Sequence, residues 1–197
     1  MTALDPQYLT FAYSCKYRGI PGTDHDPEDY PMDWSVNVNG LIWDDEDDGD
    51  EEEVEVGNAE FYVVPEAGVI ELFLTLDAVN QEVANVAEML TIKRPDLIEE
   101  MEDGGDLVIL SSLWIDPKFR GNKTGHSVLK AILATVGRGA AMVILVAAPV
   151  LTHDGPEEGT PEHDAAKAAL RRYWIDFGFE EAHCDYLFFN DMAEVLT

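Results

Sequence analysis

The order of apolar and polar residues predicts a mixed α/β (α+β) chain: a central β-sheet of about six to seven strands flanked by helices. One observation is the N-terminal third, where YLTFAYSCKY, DWSVNVNGLIW and VEVGNAEFYVV are rich in aromatic and β-branched residues. Another is a pair of continuous apolar runs, DLVILSSLWID and AAMVILVAAPV, separated by helix-spaced SVLKAILATV. Strand, helix, strand in that order implies a parallel pair joined by a right-handed crossover. The last is bulk composition: 197 residues, 46% hydrophobic and 10% aromatic, suffice for the core of a single domain.

The elements follow in chain order. Strand YLTFAYSCKY precedes a polar, Pro-containing loop. DWSVNVNGLIW alternates Trp34, Val36 and Val38 with polar residues and pairs as a hairpin with VEVGNAEFYVV. The block DDEDDGDEEE between them, Asp44 to Glu53, reads as a solvated loop, because like charges repel. Pro65 and Gly68 end the hairpin. Val79, Val83, Val86 and Leu90 then recur at helical spacing, and Pro95 opens a second helix that Gly104-Gly105 stops. After the central strand, the helix SVLKAILATV buries Val128, Leu129, Ile132, Leu133 and Val136 and ends at Gly137. AAKAALRRYWIDF is a helix stopped by Gly178, and FEEAHCDYLFFND supplies one or two short strands. The whole, 1–197, reads as one domain: strands and acidic hairpin loop over 1–70, a helical pair over 75–103, and a core over 106–190.

The charge narrows the partners. Forty acidic residues against 12 basic leave a formal net of −28. Such a surface repels phosphates of nucleic acid and anionic lipid, so neither DNA, RNA nor membrane is expected. It suits a salt-rich cytoplasm, a cationic substrate such as an amine, imitation of nucleic acid, or solubility alone. No apolar run is long enough for a span, and the N-terminus lacks a signal-peptide pattern, so a cytoplasmic location is expected. Cys15 and Cys184 form no CxxC and read as buried reduced thiols, a disulfide remaining open. No acidic spacing matches a metal loop, and His153, Asp154, His163 and Asp164 read as exposed loop residues. His183, Cys184 and Asp185 are consecutive in a strand and cannot converge as a triad.

Against that charge, FRGNKTGH at 119–126 stands out. It places Arg120, Lys123 and two glycines between a strand and a helix. The first N–H groups of a helix lack intrahelical partners, glycine allows close approach, and guanidinium and ammonium add charge-assisted bonds, so the turn suits a phosphate. Neither GxxxxGK[ST] nor GxGxxG is present. The turn, Ile115-Asp116-Pro117-Lys118-Phe119 followed by Arg120-Gly121-Asn122-Lys123-Thr124-Gly125, resembles motif A of the GNAT (Gcn5-related N-acetyltransferase) superfamily. ALRRYWIDFGFEE resembles that family's late helix and Gly-Phe strand start, at Gly178-Phe179. The likeness runs from about Leu107 to Asn190.

The resemblance implies the GNAT (acyl-CoA N-acyltransferase) fold with acetyl-CoA as co-substrate. It implies a diphosphate on the amides of Asn122, Lys123, Thr124, Gly125 and His126, with Arg120 and Gly121 in the same turn, and pantetheine along Leu113, Trp114 and Ile115. The implied reaction is direct attack of an amine on the thioester, the amine belonging to a small molecule or protein and, by charge, cationic. A homodimer is left open. Two departures matter. Lys123 stands where the family has glycine, which is tolerable if its φ stays negative; its ammonium then meets a phosphate or water. Ile109 and Trp174 stand at the usual base and acid positions, leaving Tyr173, Tyr186 and Ser111 as candidates. A catalytically silent acyl-CoA binder, an acidic interaction module and an acidic decoy are the alternatives.

Overall fold

The computed structural model describes residues 6–16, 18–20, 22, 24, 30–43, 51–149 and 156–195. The strands are β1 (Leu9–Lys16), β2 (Met32–Trp43), β3 (Glu51–Val64), β4 (Asp106–Ile115), β5 (Ala140–Val146), β6 (Glu180–His183) and β7 (Tyr186–Phe189). The helices are α1 (Leu72–Asp77), α2 (Gln81–Glu88), α3 (Pro95–Glu99), α4 (Thr124–Ala134), α5 (Pro161–Ile175) and the short α6 (Met192–Val195). The strands form one seven-stranded sheet in the order β1-β2-β3-β4-β5-β7-β6. Among the described strands only β4 and β5 run parallel; α4 makes the crossover between them, as the strand–helix–strand pattern requires.

Two apolar clusters sandwich the sheet. On one face Val36, Val38, Phe61, Val108 and Leu145 pack under α4 and α5, which contribute Leu129, Ile132, Leu133 and Trp174. On the other, Leu76, Val83, Val86, Leu90 and Leu97 of the early helical region cover Leu107, Ile109, Met142, Ile144 and Phe188. Truncating a fully buried Leu, Ile or Met among these to Ala would cost about 2–5 kcal/mol. The early helices cover only part of their face. Towards β1 that face stays bare and polar: Ser14, Ser35 and Glu60, aligned by register across β1, β2 and β3, are all exposed.

Several expectations are corrected. The helical region begins at Leu72 rather than near residue 75, and Val79 lies outside its helix, because the Asn80 side chain accepts from Val83 N at 3.0 Å and starts α2 one residue later. The missed helix carries its own signal, Leu72 and Leu76 four apart and both buried. A π-helical turn, Met89–Lys93, joins α2 to α3. Val136 is half-buried in a 3₁₀ turn after α4. The acidic block is not all loop. Glu51, Glu52 and Glu53 extend β3 opposite Trp43, Ile42 and Leu41, and Asn39 Nδ2 donates to Glu53 Oε1 at 3.1 Å; Asp44 to Asp50 lie outside the described residues. Neither thiol is buried: Cys15 is half-buried, Cys184 exposed, and both are free. His163 is buried on α5, not in a loop, while His153 and Asp154 lie outside the described residues.

Candidate functional site

β4 parts from β5 halfway along. Their pairing ends at Leu110 opposite Leu145, whereas β4 runs on to Ile115 bonded to β3 alone. The divergence coincides with a bulge: Phe61 pairs with Leu110 and Glu60 with Ser112, so Ser111 has no partner on β3. An extra residue bends its strand and strengthens the twist. β5 meanwhile continues against β7, with Val146 opposite Tyr186, and Ala147 N donates to Asp185 O at 2.8 Å. Between the parted strands lies a cleft of about 490 Å³. Its strand wall is Ser111, Ser112, Leu113, Trp114 and Ile115, and its far end is Arg120, Gly121, Thr124 and Gly125. Trp114 is 38% exposed, and so is no core residue. An unpaired strand edge of this kind offers main-chain donors and acceptors to whatever occupies the cleft.

The turn at the far end differs in detail from the expectation. Gly121, Asn122 and Lys123 all have positive φ, 104°, 46° and 58°. Lys123 is thus left-handed, against the condition of negative φ; a non-glycine residue there is strained by roughly 1–2 kcal/mol. Its ammonium meets neither solvent alone nor an open ligand position, for it pairs with Asp176 at 2.7 Å, just past α5. That pairing holds the Asp176 carboxyl below its usual value. Arg120 Nε donates to Ile115 O at 2.9 Å, which ties the guanidinium back to the end of β4. Thr124 N bonds Gly121 O at 3.0 Å, and its hydroxyl lies 2.9 Å from both Phe119 O and Gly121 O.

The amides at the start of α4 are already engaged. His126 N–H donates to the Tyr173 hydroxyl at 3.1 Å. Burial raises the Tyr173 phenol, and the His126 and Gly125 amides pull it back down. A Cβ on Gly125 would stand 2.7 Å from that hydroxyl and 3.5 Å from a Leu113 methyl, so glycine is what lets α5 approach. His126 is buried, not surface-exposed. Its Nε2 lies 2.8 Å from the Tyr173 carbonyl, which can only accept, so the proton sits on Nε2. Burial lowers its pKa and so disfavours the charged ring. Trp174, 7% exposed, packs edge-on to Phe177 and Phe179 and belongs to the core.

A polar cluster lies around Ser111, which lines the cleft, while Glu60, Tyr62, Asn80, Glu82 and Tyr186 do not line it. Asn80 Nδ2 donates to Tyr62 Oη at 3.0 Å, tying the start of α2 to β3. In the first turn of α2, Glu82 is an exposed residue whose carboxyl is nonetheless partly desolvated. Burial raises its pKa, the Ser111 hydroxyl partly offsets this, and the Glu60 charge adds to the rise. The Ser111 hydroxyl oxygen is itself buried and falls short of a full hydrogen bond with any partner. Tyr186 of β7 is raised by burial first and then by the Glu82 and Glu88 charges.

Of the residues singled out from sequence, Leu113, Trp114, Ile115, Arg120, Gly121, Thr124 and Gly125 share the cleft wall with Ser111 and Tyr173. Asn122, Lys123 and His126 sit beside it without lining it. The three catalytic candidates divide: Tyr173 stands at the α4 end, Ser111 and Tyr186 near Glu82. Sequence reasoning missed Glu82 and Glu60. Glu82 carried one legible sign, an acid two residues after an Asn cap, which alone marks only a helix start. Among the described residues no group of His, Cys, Asp or Glu could hold a metal ion, and no helix is long and apolar enough to cross a membrane. The chain matches no family model, no curated protein and no solved structure.

Proposed function

We propose that the chain is a GNAT-like N-acetyltransferase that moves an acetyl group from acetyl-CoA to an amine by direct attack. The observation that carries this reading is the open edge of β4, Ser111 to Ile115, facing a cleft that ends at the glycine turn before α4. Pantetheine is an amide-bearing chain and can add to such an edge like a strand. The turn then lies within reach of the diphosphate, with Arg120 beside it. Part of its donor set is held by the Tyr173 hydroxyl, so a diphosphate competes with that side chain for the His126 amide. The acetyl group, at the other end of the pantetheine, lies towards the polar cluster around Ser111.

Calorimetry with coenzyme A, followed by thiol release from acetyl-CoA with a panel of amines, tests this reading. The expected outcome is saturable heat and amine-dependent thiol release. No heat at millimolar coenzyme A, and no coenzyme A co-purifying by mass spectrometry, would refute it. Ile109 and Trp174, apolar at the family's usual catalytic positions, favour a second reading, an acyl-CoA binder without turnover. Saturable heat without thiol release for any amine distinguishes it.

A further inference from the structure

We infer that Glu82, in the first turn of α2, takes the proton from the ammonium group of the acceptor at the Ser111 end of the cleft, with Glu60 beside it favouring an acceptor of further positive charge. The inference rests on the acyl-transfer reading of the cleft.

Placement carries it. Register sets Glu60 of β3 directly against Ser112 of β4, and Ser112 and Ser111 line the cleft. Tyr62, two residues after Glu60 on the same face, is bonded to Asn80, so the first turn of α2 is fixed over this part of the sheet. The electrostatics agree with that placement: Glu60 of β3 and the Ser111 hydroxyl of β4 act on Glu82, and Glu82 acts in turn on the Tyr186 phenol of β7. Glu88 on its own helix also acts on Tyr186. Ser111 supplies a buried hydroxyl without a full hydrogen bond, at the bulge where the strands part. A ligand nitrogen placed between Ser111 and Glu82 would satisfy it. Exposed Trp114, farther along the same strand wall, offers an aromatic face to a second cationic group. Tyr173 cannot share the task from where it stands, since its hydroxyl is held at the α4 end.

The chemistry needs such a group. An alkyl ammonium has no lone pair and stays protonated near neutral pH. The Glu82 carboxylate takes one proton and becomes a carboxylic acid, leaving a neutral amine. Its lone pair forms the C–N bond at the thioester carbonyl carbon. As the carbonyl reforms, the C–S bond breaks with its electron pair going to sulfur, and the thiolate takes the surplus proton from nitrogen. Glu82 then returns its proton to water. A carboxylate with a raised pKa is the better base for the first step.

The test compares Glu82→Gln with the parent, using acetyl-CoA with spermidine, an alkyl ammonium, and with aniline, already neutral near pH 7. For spermidine kcat/KM should fall about 100-fold, the usual scale of a lost general base, with aniline turnover changed less than about threefold. The acid limb of the spermidine pH profile should flatten, and Glu82→Asp should recover part of the rate. Coenzyme A affinity should stay at its parental value and the thermal midpoint should not fall, which separates catalysis from folding. Parental turnover of spermidine by Glu82→Gln, or equal losses on both amines, overturns the inference. So does a parent that binds coenzyme A yet acetylates neither amine. A parent that binds no coenzyme A overturns the acyl-transfer reading itself.

Discussion

Replacing Tyr173 by Phe removes the hydroxyl that accepts from the His126 amide and leaves the ring in place. If the proposed diphosphate needs that amide, coenzyme A should bind about tenfold more tightly to Tyr173→Phe, a change of roughly 1.4 kcal/mol and within reach of one hydrogen bond. Calorimetry reads the affinity, and the thermal midpoint should fall slightly for the lost cap. Gly125→Val acts in the opposite direction: its Cβ meets the Tyr173 hydroxyl and its branch meets Leu113, so coenzyme A binding should be lost. Binding that survives would place the ligand elsewhere. Lys123→Gly relieves a left-handed lysine and removes an ion pair whose partners are 60% and 57% exposed. Backbone strain outweighs an exposed pair worth about 0–1 kcal/mol, so urea unfolding should show a gain of up to about 1 kcal/mol.

At the scale of elements, the cleft depends on how β3 holds β4 once β5 has left. Gly57 sits opposite Ile115, and a Cβ there would press into the Trp114 carbonyl and the Ile115 side chain. Gly57→Ala should therefore push the two strands apart and destabilise the fold by about 1–3 kcal/mol, measurable by urea denaturation. Coenzyme A affinity should fall with it, because the displaced edge is the proposed pantetheine wall. The sequence showed the turn, the strands and the crossover, since apolar periodicity and glycine placement are local signals. It did not show the bulge at Ser111. A bulge appears only when two strands are laid side by side and one residue is left over. For the same reason Glu82 reads as an ordinary acid near a helix start until α2 is set over β3 and β4.

Across the molecule, the charge of −28 sets the response to salt and pH. Salt screens repulsion among exposed carboxylates over about 10 Å at 0.1 M, so the thermal midpoint should rise with ionic strength, and KM for the proposed cationic acceptor should rise with it. Individual carboxyls pull in opposite directions. Glu82 and Asp106 are raised, first by burial, so the folded state holds their protons more firmly than the unfolded chain does. Their contribution is fully present below the unfolded pKa and is lost as pH rises through the raised folded value. Asp96 and Asp176 are lowered by Arg94 and Lys123, so theirs is present above the unfolded pKa and lost as pH falls through the folded value. Asp106→Asn should thus gain stability over the parent at alkaline pH and lose that advantage in acid, as paired urea titrations would show.

By itself the sequence determined the mixed sheet, the parallel pair joined through α4, and the glycine turn before that helix. Each follows from alternation, apolar runs and backbone-permissive residues a few positions apart. Only the tertiary structure decided that Arg120 is tied to Ile115, that Lys123 is spent on Asp176, and that the Tyr173 hydroxyl rests on the amides of α4. It also decided that the early helices leave part of a sheet face bare, and that the start of α2 is tied to β3 beside the parting of β4 and β5. Those outcomes hang on side chains far apart in the chain competing for the same donors, and a competition between distant groups has no local pattern to read.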